Sequence, residues 1–267
     1  MIKSPIIETL KVMRLSSMAQ GLECQLADSA YNALGFEERL GLLVDAEWNQ
    51  RQSTKLKRYL NSAKFAIPGA SIEGIEYYED RKLDKAEILR FSTCQYVDEG
   101  HHIILKGMSG NGKTYIACAL GNAACRKFKT VRYIRMPELI EEFAIAKAEG
   151  SFKRTMASYK KVDLLIIDEW LIRCLTQEES YDILELAETR CSMSYNGVSS
   201  KSSHGSTIFC TQYENSGWYT RISVSPDSES TISEAVMDRI IHNAYILEIG
   251  GNQSMRERHG LKAQRDI

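Results

Sequence analysis

The chain has 267 residues, of which 43% are hydrophobic and 26% charged, and its formal net charge is −1. These values are ordinary for a globular protein and leave room for one medium-sized domain and a smaller one. They exclude a uniformly basic nucleic-acid-binding protein, so any contact with DNA has to come from local basic patches.

No apolar run approaches the roughly 20 residues that span a bilayer. The first ten residues also lack the apolar core and cleavage site of a signal peptide. We therefore expect a cytoplasmic protein with no membrane partner. The seven cysteines include no C-x-x-C pair, which favours reduced structural thiols over a disulfide framework or a metal site.

The N-terminal part of the chain has the apolar periodicity of helices from residue 8 to about residue 66. Within it, Phe36–Glu47 and Trp48–Phe65 are predicted as two separate helical segments. A Pro-Gly pair then ends the helical region. We predict a small all-α domain over residues 1–69 and a polar linker over residues 70–84.

The remainder, residues 85–267, alternates between helix-like and strand-like runs. The strand-like runs are Ile103–Leu105, Val131–Met136, Val162–Ile167, Ser206–Thr211 and Ala244–Ile249. The helix-like runs are Lys85–Thr93, Lys113–Phe128, Pro137–Glu149, Phe152–Lys160, Gln177–Cys191 and Ser230–Asn243. Such alternation is typical of βαβ units, so we predict an α/β fold with a parallel sheet covered by helices. Two polar stretches, Ser192–His204 and residues 213–228, are expected to be loops.

A phosphate-binding loop is the most specific motif in this part of the chain. Gly107–Thr114 reads G-x-x-x-x-G-K-T between a predicted strand and a predicted helix, which is the context that the motif requires. Its glycines let backbone N–H groups converge on an anion, and the helix adds the positive end of its dipole. Lys113 is expected to reach the β- and γ-phosphates, and the Thr114 hydroxyl to hold Mg²⁺. The predicted contacts of ATP are Gly107, Met108, Ser109, Gly110, Asn111, Gly112, Lys113, Thr114 and Tyr115.

Two acidic residues, Asp168 and Glu169, end the third predicted strand. Ligands of parallel sheets bind at the carboxyl ends of the strands. Asp168 is therefore placed to hold Mg²⁺ through water, and Glu169 to polarise the water that attacks the γ-phosphate. Taken alone, Asp168 could cap the next helix and Glu169 could be a surface acid, but their pairing with the phosphate-binding loop favours the catalytic roles.

With these motifs in place, the chain resembles the IstB-type ATPases of bacterial insertion sequences, which are AAA+ proteins related to the DnaC helicase loader. The stretches that carry the resemblance are Leu10–Ala19, Phe36–Leu43, Arg51–Phe65, Leu175–Glu179, Met237–Ala244 and Ser254–Arg256. The resemblance implies an AAA+ P-loop NTPase core, with a five-stranded parallel sheet, and a small all-α N-terminal domain. It also implies a helper that assembles on duplex DNA when it binds ATP, remodels and marks the target, and recruits and stimulates its cognate transposase. ATP hydrolysis would reset the complex.

The resemblance implies three further functional positions. Thr211 and Gln212 match the sensor-1 position, where either side chain could orient water near the γ-phosphate. Arg239 matches the arginine finger that enters the site of a neighbouring subunit, so that hydrolysis depends on a homo-oligomer. An ordinary ion pair on its own helix is the alternative for Arg239. Arg256 matches a sensor-2-like cation.

Two basic clusters are candidates for DNA contacts. In the first, Arg51, Lys55 and Arg58 fall on one helical stripe, which can follow a phosphate backbone without reading bases. A solvated helix face is an equally good interpretation from the sequence alone, and the resemblance favours duplex DNA. The first cluster comprises Arg51, Lys55, Lys57, Arg58 and Lys64, and the second comprises Lys153, Arg154, Lys160 and Lys161.

Other functions remain open at this point. The main alternative is a DnaC-like loader that grips single-stranded DNA and a replicative helicase, and the N-terminal domain, where the partner is chosen, favours transposition instead. A small-molecule kinase would need an acceptor pocket of its own and no arginine finger. A scaffold that binds ATP without turnover is disfavoured because Glu169 is present.

Overall fold

The computed structural model describes residues 5–191, 205–222 and 229–259. The expected Ser192–His204 loop lies outside the described residues. No helix within the described ranges is long and apolar enough to cross a membrane. The chain divides into two compact units, Met1–Arg58 and Tyr59–Ile267.

The first unit is helical. It contains α1 (Pro5–Val12), α2 (Ser16–Ala27), a 3-10 turn and most of α3 (Phe36–Ala63). Glu47 of α3 accepts hydrogen bonds from the first backbone N–H groups of α2, at 3.0 Å from Ser17 N and 3.3 Å from Met18 N. This carboxylate satisfies donors that a helix start leaves unpaired, and so fixes α2 against α3.

The two segments predicted between Phe36 and Phe65 are one continuous helix, α3, so the predicted break before Trp48 is wrong. No proline or glycine interrupts the chain between residues 42 and 67, and the dense charge of the second segment is compatible with a solvated helix face. α3 continues past the boundary between the two units at Arg58.

The residues after that boundary belong to the second unit, whereas the sequence predicts a domain end at residue 69. Phe65 is buried, and a Cβ atom added to Gly121 would lie 2.5 Å from its ring. Asn122 also donates a hydrogen bond to the carbonyl of Ala70 at 2.6 Å. These contacts tie the end of α3 and the following turn to the α/β core. The functional limits of 1–69, 70–84 and 85–267 stay predictions.

The second unit is an α/β fold, as predicted. Its strands are β1 (His102–Lys106), β2 (Val131–Arg135), β3 (Leu164–Asp168), β4 (Ser206–Thr211) and β5 (Ala244–Glu248). They form one five-stranded sheet in the order β2-β3-β4-β1-β5, and every pairing is parallel. The apolar runs of β1 and β3 are buried on both faces, which is why they read as continuous apolar sequence.

Helices precede, connect and follow the strands of this sheet. In chain order they are α4 (Lys85–Ser92), α5 (Gln95–Glu99), α6 (Lys113–Arg126), α7 (Met136–Ala148), α8 (Phe152–Lys160), α9 (Gln177–Cys191), α10 (Asn215–Ile222), α11 (Glu229–Ile241) and α12 (Met255–Arg258). Because the strands are parallel, the carboxyl ends of β1, β3 and β4 lie at the same edge, and the loops that follow them converge there.

One predicted loop is partly a helix. The sequence predicts a loop over residues 213–228, but Asn215–Ile222 forms α10. Trp218 is fully buried in it, with its ring 5.7 Å from that of Trp170 and 6.3 Å from that of Phe209. The local composition is poor for a helix, and burial of this aromatic cluster overrides the weak propensity. The rest of the predicted loop, residues 223–228, lies outside the described residues.

Candidate functional site

The phosphate-binding loop connects β1 to α6. Gly110 and Gly112 have φ angles of +88° and +82°, a left-handed conformation that glycine adopts without steric cost. The ammonium group of Lys113 donates hydrogen bonds to the carbonyls of Gly107, at 2.6 Å, and Met108, at 2.8 Å. Burial lowers the pKa of Lys113. The Lys113 ammonium is therefore bonded to carbonyls of its own loop, and a phosphate oxygen, which is a stronger acceptor, would replace them.

Two segments remote in the chain hold this loop. Arg81, which is buried, donates to the carbonyl of Asn111 at 2.8 Å. The Asn111 amide donates to the carbonyl of Ile249 at 2.9 Å, and the N–H of Met255 donates to the carbonyl of Gly110 at 2.9 Å. Arg81 lies in the segment predicted to be a polar linker, and no sequence motif marks it. These three hydrogen bonds, from Arg81, to Ile249 and from Met255, form a clamp that holds the loop.

Asp168 ends β3, and neighbouring hydrogen-bond donors hold its carboxylate. Its Oδ2 accepts from the Thr114 hydroxyl at 2.7 Å and from the Tyr133 hydroxyl at 2.8 Å, and its Oδ1 accepts from the Glu169 N–H at 2.8 Å. Burial raises the pKa of Tyr133, and the Asp168 charge raises it further, so its hydroxyl stays protonated. The structure thus brings Thr114 and Asp168 together, and it adds Tyr133, which sequence reasoning missed.

Glu169 lies at the rim of the same site. Its φ angle is +54°, a strained value for a residue with a side chain. Its Oε2 accepts a hydrogen bond from Nη2 of Arg135, at the end of β2, at 2.7 Å. The side chains are 47% exposed for Arg135 and 36% for Glu169, and the Glu169 carboxylate raises the pKa of Arg135. The glutamate is therefore accessible to water and held by a surface ion pair.

A cleft of about 490 Å³ opens over these groups, a size in the range of small-ligand sites. The predicted site residues that line it are Ser109, Gly110, Gly112, Lys113, Thr114, Tyr115, Asp168, Glu169, Gln212 and Arg256. Gly107, Met108, Asn111 and Thr211 do not line it. Arg256 reaches it from α12, next to Met255, whose N–H is bonded to the loop.

The two sensor-1 candidates have different surroundings. Thr211 is 1% exposed, and its hydroxyl donates to the carbonyl of Trp170 at 3.3 Å. Gln212 lines the cleft instead. The Thr211 hydroxyl is thus bonded within the protein interior, and Gln212 is the sensor-1 candidate that lines the cleft.

Arg239 does not join the other predicted site residues within this chain. It lies on α11, where its guanidinium bonds Glu188 of α9 at 2.9 Å and the carbonyl of Ala235 at 2.8 Å. This ion pair is with a neighbouring helix and not with an acid on α11 itself. Its side chain is about one-third exposed.

The chemistry of the site suits a Mg²⁺–phosphate group. The Thr114 hydroxyl and the Asp168 carboxylate offer hard oxygen atoms, the ligands that Mg²⁺ takes in proteins. Within residues 5–191, 205–222 and 229–259, no group of three or more His, Cys, Asp or Glu side chains could hold a metal. A cation at Thr114 and Asp168 would therefore share its coordination with phosphate oxygens and water, as Mg²⁺ commonly does.

The first basic cluster lines a separate cleft inside the helical unit. Arg51, Lys55 and Arg58 border this cleft of about 590 Å³ together with Arg14. Arg51 is bonded to Glu47 at 2.8 Å and lowers the pKa of that carboxyl. Sequence reasoning missed Arg14, because it is a single basic residue in the turn between α1 and α2, far from the basic run.

The other basic residues are scattered. Lys57 is exposed on α3 but does not line that cleft, and Lys64 follows the end of α3. In the second cluster, Lys153 and Arg154 are exposed near the start of α8 and Lys161 near its end. Lys160 forms an ion pair with Glu185 at 2.8 Å.

The fold resembles solved AAA+ proteins of DNA replication. The DnaC helicase loader superposes with a TM-score of 0.53 at 20% identity, over 72% of this chain and 99% of that one. DnaA of Aquifex aeolicus, bound to AMPPCP, superposes with a TM-score of 0.52 at 15% identity, over 75% of this chain and 56% of that one. At these identities the likeness shows the fold alone.

Sequence relatives are closer. A protein of Sinorhizobium fredii named as an insertion sequence ATP-binding protein, y4pL, is 31% identical over 96% of this chain and 98% of its own length. The ATP-binding protein of insertion sequence IS1162 from Pseudomonas fluorescens is 38% identical over 69% of this chain and 80% of its own length. The family model described as "IstB-like ATP binding protein" matches residues 8–263. The chain therefore belongs to the IstB-like ATP-binding proteins of insertion sequences, as the sequence motifs predict.

Proposed function

We propose that the protein is an ATP-hydrolysing helper of insertion-sequence transposition that works in the cytoplasm with Mg²⁺. The observation that carries the proposal is the meeting of Lys113, Thr114, Asp168 and Glu169 at one cleft in a member of this family. A cation for the phosphates, oxygen ligands for Mg²⁺ and a carboxylate for water are the parts that phosphoryl transfer to water requires.

Each side chain has a separate task in the proposed hydrolysis. Lys113 exchanges its bonds to loop carbonyls for bonds to the β- and γ-phosphates. Thr114 and Asp168 would hold Mg²⁺, and the metal would neutralise phosphate charge. Glu169 accepts a hydrogen bond from the attacking water and orients it toward the γ-phosphorus, and the products are ADP and inorganic phosphate. We assign the orienting of this water to the Gln212 amide and not to the Thr211 hydroxyl, because Gln212 lines the cleft.

Arg239 makes hydrolysis depend on assembly in this proposal. Within one chain it is bonded to Glu188 and does not line the cleft. In a homo-oligomer it would leave this ion pair and stabilise the transition-state charge in a neighbouring subunit. Arg256 lines the cleft of its own chain and would contact phosphate there.

Duplex DNA is the proposed assembly surface, and the cognate transposase is the proposed partner. The basic cleft is lined by Arg14, Arg51, Lys55 and Arg58, and none of its lining residues has an aromatic ring on which a base could stack. Such a site binds phosphates and not bases, so affinity should fall steeply with salt and vary little with sequence. Lys57, Lys64 and the second cluster of Lys153, Arg154, Lys160 and Lys161 would add to the same electrostatic attraction.

A helicase-loading function is the second candidate, because the fold covers 99% of the DnaC helicase loader. The two functions differ in the nucleic acid that supports assembly. A transposition helper assembles on duplex DNA, whereas a loader of this type acts on single strands and a replicative helicase.

Light scattering separates these functions. The purified chain is mixed with a long duplex or with a single strand of the same length, with and without ATP. An ATP-dependent rise in mass on duplex DNA alone supports the transposition helper, and a rise on the single strand alone supports the loader. No assembly on either, with ATP turnover on a small phosphoryl acceptor instead, would refute both.

Mixed subunits test Arg239. Arg239→Ala subunits retain Lys113 but lack the proposed finger, and Lys113→Ala subunits have the reverse defect. Each variant alone should hydrolyse little ATP, and their mixture should regain activity. The matched control is Arg90→Ala, which removes another exposed arginine from an ion pair, with Glu87, and should behave as wild type. Normal hydrolysis by Arg239→Ala alone would remove the finger from the mechanism.

A further inference from the structure

Tyr133 is a buried tyrosine on β2 that the proposed hydrolysis does not use directly. It is 7% exposed, and its hydroxyl lies 2.8 Å from Oδ2 of Asp168. β2 and β3 are adjacent in the sheet, with Arg135 opposite Asp168. This pairing brings the tyrosine hydroxyl to the end of the neighbouring strand. The contact therefore joins two paired strands near the carboxyl end of the sheet and does not depend on a loop.

The hydrogen bonds to Asp168 distribute its lone pairs unevenly. A carboxylate has about four lone-pair sites, two on each oxygen. Oδ2 accepts hydrogen bonds from the hydroxyls of Thr114 and Tyr133, and Oδ1 accepts one from the N–H of Glu169. The Cys210 thiol also bonds this carboxylate. Without the Tyr133 hydroxyl, Oδ2 would keep a single hydroxyl donor, that of Thr114, and the orientation of the carboxylate would be less firmly fixed.

We propose that Tyr133 is a positioning residue of the Mg²⁺ site: its hydroxyl fixes the orientation of the Asp168 carboxylate that would hold the metal. This inference rests on the proposed function, since it concerns the Mg²⁺ that accompanies ATP. Groups that orient a metal ligand through a hydrogen bond commonly change metal affinity by about 10- to 100-fold when they are removed.

Tyr133→Phe tests the inference because it removes the hydroxyl and keeps the ring that fills the core. The dissociation constant of a fluorescent ADP is measured with excess EDTA and then during a titration with MgCl₂. We expect the affinity in EDTA to stay within about 2-fold of wild type, since no contact to the nucleotide is lost, and the Mg²⁺ midpoint to rise about 10-fold. An unchanged midpoint, or an equal loss of affinity with EDTA and with Mg²⁺, would overturn the proposal.

The matched control is Tyr159→Phe. Tyr159 is also buried, and its hydroxyl donates to a carboxylate, that of Glu142. This control removes the same atom from the same unit and should leave both the affinity in EDTA and the Mg²⁺ midpoint at their wild-type values. A raised midpoint in this control too would assign the effect to the packing of the unit and overturn the proposal.

A double-mutant cycle with Asp168→Asn tests whether Tyr133 acts through Asp168. In the Asp168→Asn background, Tyr133→Phe should shift the Mg²⁺ midpoint no further, and an additive shift would overturn the proposal. The wild-type titration separates this inference from the proposed function. A wild-type chain that binds no nucleotide under either condition refutes the ATPase itself, whereas a wild-type Mg²⁺ response retained in Tyr133→Phe refutes only the role of Tyr133.

Discussion

The ion pair between Arg135 and Glu169 should restrain ATP hydrolysis. If Glu169 orients the attacking water, its carboxylate has to give up the 2.7 Å hydrogen bond to Arg135. The two side chains are 47% and 36% exposed, so the pair belongs to the exposed class, whose interaction energy is about 0.2–1 kcal/mol. At about 1.36 kcal/mol per factor of ten, its removal is expected to raise the turnover number by about 1.4- to 5-fold.

The assay is steady-state ATP turnover of Arg135→Gln at saturating ATP and Mg²⁺. Arg135→Lys is the control, because it keeps a cation beside Glu169 and should stay near the wild-type rate. Exposed pairs are screened by salt, so the difference between Arg135→Gln and wild type should shrink as the salt concentration rises. Glu169→Gln supplies the lower limit, since it should bind ATP and hydrolyse it poorly.

A lower turnover number in Arg135→Gln than in wild type would refute this reasoning. It would mean that Arg135 holds Glu169 in its working position and does not compete with water for it. An increase that is just as large at high salt would also count against the ion pair, because a screened surface interaction cannot produce it.

Three further changes test the packing that supports the site. Arg190→Met should lower the free energy of unfolding in urea by about 2–4 kcal/mol, because it strips buried carbonyls of the guanidinium that bonds them. Burial lowers the pKa of His102 to about 3. As the pH falls below about 6.5, this imidazole therefore takes up a proton in the unfolded chain and not in the folded one. The stability advantage of wild type over His102→Gln should thus shrink by about 2 kcal/mol between pH 7 and pH 5, and an unchanged advantage would contradict a buried neutral imidazole. Gly121→Ala should lower the free energy of unfolding by about 1–3 kcal/mol, because its Cβ would lie 2.5 Å from Phe65, whereas Gly41→Ala, whose Cβ would have nothing within 4 Å, should not lower the melting temperature.

Local sequence predicted the parts of the site that one segment builds. The loop around Lys113 and the acids after β3 each depend on a strand, its end and the next few residues, and those patterns are visible in a short window. The family resemblance, and with it the AAA+ fold, followed from the combination of such segments along the chain.

The contacts that sequence reasoning missed join segments far apart. Tyr133 reaches Asp168 because β2 lies beside β3, and strand order is not written in the periodicity of either strand. Arg81 looks like one charge among many in a mixed segment, and only the fold shows that it is buried beneath Asn111. The helix around Trp218 was missed for a related reason, since its stability comes from tertiary packing and not from its own residues.

The clamp on the phosphate-binding loop has a consequence for the order in which the protein matures. Asn111 bonds the carbonyl of Ile249, 138 residues later in the chain. At about 5–20 residues per second, a ribosome needs roughly 7–28 s to add that stretch. A nascent chain whose loop has already emerged therefore lacks half of the clamp during this interval. We therefore expect a chain to bind nucleotide only late in its synthesis. ATP should then stabilise complete chains, whereas incomplete chains should remain substrates of chaperones and proteases.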